Sequence, residues 1–270
     1  MGAEGGEMVG EGELVLVEHV DAVAVISFNR PARHNALNDA MSERWRHEVR
    51  EAIADTSVRC LLLRGEGPSF SSGRDTAQLG SRVAGESDLS FVRRHQDIRL
   101  DVLDAPKPVV AAVKGYVFGG AFEICLAADM RVASTDALFA FPEITYGLVT
   151  DTGGSQMLPP LIGPAKTKFL LMTGERIDAA TALEWGAVDW VVDPEELDVR
   201  ALNLARKLAA APPHAVQVAK MLVDQAYAGT VRNGMRQELI AQVALFAGEE
   251  HATAKAAAIG RLQDAKSGQV

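Results

Sequence analysis

The spacing of hydrophobic positions changes several times along the chain, and each change marks an element. Residues 15–17 and Val23–Phe28 are short runs rich in β-branched side chains, split by the more polar residues 18–22, which predicts a hairpin. Asn29-Arg30-Pro31 breaks the second run. Met41, Trp45, Val49 and Ile53 then recur every four residues, which predicts a helix running to Ile53 and capped by Asn38 or Ser42. Residues 60–64 form a compact apolar strand, ended by the turn Gly65-Glu66-Gly67-Pro68. Val109–Val113 is another strand, after the breaker Pro106-Lys107-Pro108. A helical run over residues 120–128 follows, then strand-like stretches at 130–133 and 138–141.

Strand, helix, strand at this interval predicts an α/β fold with right-handed crossovers and a largely buried sheet. Beyond about residue 160 the texture turns helical: Pro164–Thr173, Ala179–Trp185 and residues 195–211, 213–228 and 231–247 read as helices, with 188–192 the lone strand. No internal repeat or low-complexity tract interrupts the chain. The expected organisation is a disordered leader over 1–13, an α/β core over 14–200 that carries the active site, and a helical C-terminal region over 201–270. Residues 76–103 carry no sharp motif.

Composition narrows the function classes. Hydrophobic residues make up 48% of the 270 and charged residues 23%, an ordinary globular mixture that excludes a disordered or fibrous protein. The net charge is −9, from 27 basic and 36 acidic residues, with a pI near 5.2. Such a surface repels nucleic acid and anionic membranes. No stretch approaches the roughly 18 apolar residues of a membrane span. The Gly- and Glu-rich start lacks the basic and apolar regions of a signal peptide. Cys60 and Cys125 both sit in apolar runs and read as buried thiols, not a disulfide framework. The expectation is a cytoplasmic protein with no nucleic-acid or membrane partner.

Three segments place glycine or a carboxylate at the end of an apolar strand: Ser69-Phe70-Ser71-Ser72-Gly73-Arg74-Asp75, then Gly115-Tyr116-Val117-Phe118-Gly119-Gly120-Ala121-Phe122-Glu123, then Phe141-Pro142-Glu143 running on to Asp151-Thr152-Gly153-Gly154. Glycines that open a helix leave backbone N–H groups free at its positive end, where an oxyanion is stabilised. Glu123 lies on the same face as Gly120, in apolar company, and Glu143 follows an apolar strand. Two carboxylates so placed lose hydration and repel, which raises their pKa and suits one as proton acceptor and the other as donor. Asp151 or Thr152 reads as a helix N-cap as readily as a catalytic group. The glycine segment lacks the G-x-G-x-x-G of a dinucleotide site and the Lys-Ser/Thr of a P-loop, G-x-S-x-G is absent, and His and Cys show no metal-ligand spacing.

In combination these pieces resemble the crotonase superfamily, the enoyl-CoA hydratase/isomerase family, from about Leu14 to about Gln225. Asn29-Arg30-Pro31 with Asn35-Ala36-Leu37 is similar to its N-R-P…N-A-L stretch. Phe70–Asp75 is similar to its F-x-x-G-x-D loop, and Gly119-Gly120-Ala121-Phe122-Glu123 to its G-G-x-x-E. Thr173-Gly174, Ala182, Gly186-Ala187-Val188 and Val191-Val192 match its later pattern.

The resemblance implies a spiral of ββα turns with a helical C-terminal region used for trimerisation, giving a homotrimer or a hexamer made of two trimers. It implies an acyl-CoA thioester substrate, coenzyme A entering only as part of that substrate, and no metal or redox cofactor. The backbone N–H groups of Arg74 and Gly120 match the oxyanion hole, and Glu123 and Glu143 match the two catalytic glutamates, with Glu123 as base toward water and Glu143 as proton donor. Arg33, His34, Ala36 and the Arg74 side chain fall where coenzyme A binds. The implied reaction is hydration of a 2-enoyl-CoA to 3-hydroxyacyl-CoA. The family's Pro-Gly-x-Gly-Gly after the second glutamate is here Thr150-Asp151-Thr152-Gly153-Gly154, and Asp151, eight residues past Glu143, resembles the dienoyl-CoA isomerase branch. A dehalogenase branch also has a carboxylate there, as nucleophile, but lacks both glutamates. The alternatives are a double-bond isomerase using Glu143 and Asp151, and a non-catalytic acyl-CoA-binding member.

Overall fold

A computed structural model gives the structure of the protein over residues 13–267, and the leader expected over 1–13 falls, Glu13 aside, outside the described residues. The strands are β1 (Val15–Val20), β2 (Val23–Phe28), β3 (Cys60–Gly65), β4 (Val109–Val113), β5 (Tyr116–Phe118), β6 (Met130–Ser134), β7 (Leu138–Ala140), β8 (Ile177–Asp178) and β9 (Trp190–Val192). The helices are α1 (Asp39–Ala54), α2 (Asp88–Leu103), α3 (Gly120–Ala127), α4 (Gly154–Met157), α5 (Pro159–Ile162), α6 (Pro164–Thr173), α7 (Ala179–Trp185), α8 (Leu197–Ala209), α9 (Pro213–Asp224), α10 (Val231–Phe246) and α11 (Glu249–Ser267).

Side-chain alternation in the strands decides how these elements layer. Six strands form one sheet in the order β1-β2-β3-β4-β6-β9, in which only β1 runs antiparallel to its neighbour. Ala24, Ile26, Phe28, Leu61, Leu63, Val109, Ala111 and Val113 point into the main core with Met41, Trp45 and Val49 of α1. The alternate residues Val23, Val25, Cys60, Leu62, Val110 and Ala112 point the other way, onto Leu197, Ala201, Leu204 and Ala205 of α8. A sheet covered on both faces needs continuous apolar strands, which is why the runs at β2, β3 and β4 lack polar alternation. Trp45 stacks on Phe28 at 5.5 Å. A second sheet, β5-β7-β8, carries the turns that build the site.

Most expected elements are present, with shifted ends. Asn38, not Ser42, caps α1, accepting from the Met41 N–H at 2.8 Å. The hairpin is tighter than expected because β1 continues to Val20. The helix expected over 213–228 ends at Asp224 and continues as a 3-10 turn. Cys60 and Cys125 are free and buried, and burial pushes both thiols up to about 12. Helix α8 spans the expected limit at residue 200. No residue of α9 or α10 is buried, and Met235, Leu239, Ile240, Val243 and Phe246 lie exposed. Among the described residues no helix is long and apolar enough to cross a membrane.

Candidate active site

Asn35 starts the site. It is fully buried with φ +52, and its Nδ2 donates to the carbonyls of Glu66 at 2.9 Å and Ser69 at 2.7 Å, while its Oδ1 accepts from the Arg30 N–H at 2.7 Å. The Arg30 guanidinium reaches the Ala36 carbonyl and Asp75, the latter at 3.0 Å. These bonds clasp the loop after β2 to the loop after β3. Leu37 then donates to the Gly73 carbonyl at 2.8 Å and accepts from the Asp75 N–H at 3.0 Å, a short parallel bridge centred on Arg74. In that pairing Arg74 turns its own N–H away from residue 37.

It turns toward the start of α3. Gly73 has φ +85, and a Cβ there would stand 2.5 Å from the Phe118 carbonyl oxygen, so only glycine permits the crossing. This contact sets the Arg74 amide beside the Gly119-Gly120 turn. The Gly119 N–H is spent on the Ala140 carbonyl at 2.9 Å, whereas neither the Arg74 nor the Gly120 N–H has a partner among the described residues. Two neighbouring free donors, one of them at the positive end of a helix, can hold the oxygen of a polarised carbonyl.

Glu123 sits one turn into α3 and is 1% exposed. Its Oε1 accepts from the N–H of Thr152 at 3.1 Å and of Gly154 at 2.8 Å, and its Oε2 accepts from the Thr152 hydroxyl. Three donors and no acceptor suit a carboxylate. Thr152 is therefore not a helix cap; α4 begins at Gly154 with Gly153 in the capping position, and Asp151 does not cap it either.

Glu143 lies in the 3-10 turn Pro142–Tyr146 and is half-buried. Its Oε1 stands 2.5 Å from the point that a Cβ on Gly119 would occupy, and Gly119 itself has φ +53. Its Oε2 is buried with no partner among the described residues. Burial pushes the Glu143 carboxyl up to about 7, and the charges of Glu123 and Asp151 push the same way. Asp151 reaches solvent, yet partial burial and the Glu123 charge raise its carboxyl too. The structure thus brings Glu123, Glu143, Asp151 and the two free amides to one place.

The Arg74 side chain has protein partners of its own. Its guanidinium donates to Asp39 of α1 at 2.6 Å and to the Gln78 carbonyl. Arg33 and His34 lie exposed on the surface turn, with Ala36 half-buried beside them. The His34 carbonyl accepts from the Ser72 N–H at 2.9 Å, its Nδ1 meets the Ser69 hydroxyl at 3.0 Å, and its ring lies 4.9 Å from Tyr116. Three polar residues of α2 went unread in the sequence. His95 and Arg99 are buried, and Gln96 donates to the Asp151 carbonyl at 2.7 Å. Their signal would have been Ser87-Asp88 as a helix start followed by Ile98 and Val102 at a spacing of four.

The description of the enoyl-CoA hydratase/isomerase family matches residues 18–257. The chain belongs to that family. A short-chain-enoyl-CoA hydratase from Clostridium acetobutylicum is 34% identical over 213 residues, 78% of this chain and 81% of its own length. A 1,2-epoxyphenylacetyl-CoA isomerase from Escherichia coli is 31% identical over 220 residues, 80% of this chain and 84% of its own. The crystal structure of an enoyl-CoA hydratase from Bacillus anthracis has a TM-score of 0.83 at 29% identity, covering 94% of this chain and 96% of that one. The fold is the crotonase fold of these enzymes, and the family embraces hydratases and isomerases alike.

Proposed function

We propose that the protein is an enoyl-CoA hydratase that adds water across a 2-enoyl-CoA thioester to give a 3-hydroxyacyl-CoA. The observation that carries this reading is the asymmetry of its two glutamates. Glu123 is held by three donors, while Glu143 keeps an unpartnered buried oxygen and a carboxyl raised to about 7. One group is set to accept a proton and the other to give one near neutral pH.

In this mechanism the thioester oxygen sits between the Arg74 and Gly120 amides, which draws electrons from C3. Glu123 removes a proton from water as the oxygen bonds to C3. Glu143 delivers its proton to C2, and the enolate-like charge is held by the two amides until it does. Loss of one such donor costs about 3–4 kcal/mol of transition-state stabilisation. Coenzyme A is part of the substrate, with Arg33, His34 and Ala36 as its contacts on the surface turn. The exposed apolar side chains of α10 support association of copies through the C-terminal helices, as a homotrimer or a hexamer, which light scattering on the purified protein measures directly. The reduced, buried cysteines suit a cytoplasmic setting.

A second reading has its own support. Asp151, with a raised carboxyl close to Glu123 and Glu143, would allow a double-bond shift in which carboxylates pass a proton along the acyl chain. The deciding experiment offers 2-enoyl-, 3-enoyl- and 3,5-dienoyl-CoA thioesters of several lengths and identifies products by mass. Hydration bleaches the conjugated thioester of crotonyl-CoA and adds one water. Double-bond migration without added water supports the isomerase and overturns the hydratase. Binding without turnover of any thioester leaves a non-catalytic acyl-CoA-binding protein.

A further inference from the structure

Arg99 is a buried cation in the wall of the site. It lies on α2, is 6% exposed, and donates through Nη2 to the Gly120 carbonyl at 2.8 Å and through Nη1 to the His95 carbonyl at 3.3 Å. Its Nε–H is buried with no partner among the described residues. Its contact with Gly120 is close: a Cβ on that glycine would fall 2.5 Å from Nη2 and 4.0 Å from Glu123 Oε2. A guanidinium out of water and without a direct carboxylate partner is costly unless other charges compensate.

The surrounding charges come from several elements, while Asp39 of the neighbouring α1 pairs with Arg74 and lies 3.9 Å from His95. Glu123 faces it from α3, Glu143 from the 3-10 turn and Asp151 from the loop before α4; these attract it, and Arg74 repels it. His95, one turn back on α2, is held down to about 4 by burial and so carries no charge at neutral pH. One cation therefore faces three acids without pairing directly to any of them.

We propose that Arg99 is a positioning residue of the reaction, bracing the Gly120 turn from behind and serving as the shared countercharge of Glu123, Glu143 and Asp151. It touches neither water nor thioester in this role. Its hydrogen bond fixes the residue whose N–H is a free donor, and its charge makes it tolerable for one acid to remain ionised while the next is desolvated. Removing the charge makes every carboxylate of the group harder to ionise, so both limbs of a pH–rate profile move to higher pH.

The test builds on the hydratase reading and uses the full-length protein with R99M, R99Q and R99K. With crotonyl-CoA, R99M and R99Q should lose roughly tenfold or more in kcat while KM stays within about threefold, and both limbs should move up by about one pH unit. R99K keeps the charge but not the fork, so its limbs should stay with the wild type while its rate recovers only in part. R99Q serves if R99M does not fold. A second readout needs no hydration: acetoacetyl-CoA ionises to an enolate with its own near-ultraviolet band, and the midpoint of that ionisation on the protein should rise in R99M and R99Q but not in R99K. Coincident midpoints and unmoved limbs in the neutral variants overturn the role of Arg99. Failure of the wild type to hydrate any enoyl thioester sinks the hydratase reading instead, and the enolate titration still decides the inference. Failure to bind acetoacetyl-CoA at all overturns both.

Discussion

Thr152 grips Glu123 twice, its amide on one carboxylate oxygen at 3.1 Å and its hydroxyl on the other. The residue that the sequence offers as a helix cap is thus the clamp of a buried acid. Replacing it with valine keeps the shape and the amide but removes the hydroxyl. T152V should lose about 1.5–3 kcal/mol of stability, the range for a hydrogen bond to a charged group. Its turnover of crotonyl-CoA should fall with it, and T152S should recover most of both. Thermal unfolding and steady-state rates read the two effects, and a T152V protein matching the wild type in both would show that the hydroxyl does not hold Glu123.

Gly119 permits Glu143 to stand where a side chain would otherwise be. An alanine there meets Glu143 Oε1 at 2.5 Å and must also adopt φ +53. G119A should cost about 1–3 kcal/mol in backbone strain. It should also displace Glu143, so that turnover falls at least as far as in E143Q. A folded G119A with full activity would show that turnover does not depend on where Glu143 stands.

The raised Glu143 carboxyl has a signed consequence for stability. A carboxyl with an ordinary value of 4.5 and a folded value of about 7 binds its proton more tightly in the folded state. The fold therefore loses stability as pH rises from about 4.5 to about 7, and loses nothing more from this group above that. E143Q carries no such penalty. Its melting temperature relative to the wild type should climb across that window and then level off, even as its turnover collapses. A constant difference at all pH values would show that Glu143 titrates normally.

Asn35 has no place in the chemistry, yet it joins the loops on which the Arg74 amide depends. N35A strands the buried Ser69 carbonyl and takes a partner from the half-buried Arg30 N–H and Glu66 carbonyl. Each buried group left unsatisfied costs about 1–3 kcal/mol. The expected outcome is a variant of much lower stability whose remaining folded fraction has reduced kcat. Denaturant unfolding with active-site titration separates the two.

The strands were legible because a sheet buried on both faces demands unbroken apolar runs, and β2, β3 and β4 supply them. The glycines and acids were legible through a resemblance, since Gly73 falls in the F-x-x-G-x-D pattern and Gly119, Gly120 and Glu123 in the G-G-x-x-E pattern of the family. Helix α2 was not legible. Its buried face mixes Ile98 and Val102 with His95 and Arg99, and a charged residue on a buried face breaks the apolar periodicity by which helices are read. The partner of the Arg74 side chain was not legible either. Sequence gives the charge but not the nearer carboxylate, and Asp39 claims it.

Helix α2 reaches the reaction loops through main-chain oxygens, Arg99 meeting the carbonyl of Gly120 and Gln96 that of Asp151. Every amino acid carries that oxygen, so the contact made by Gln96 does not depend on the side chain at residue 151, whereas Arg99 needs the glycine at 120, where a Cβ would stand 2.5 Å from its Nη2. The side chain at residue 151 can thus be exchanged while the contact that anchors Gln96 stays where it is. Anchorage and acidity are in this way adjustable one at a time, on the main chain and the side chain of a single residue.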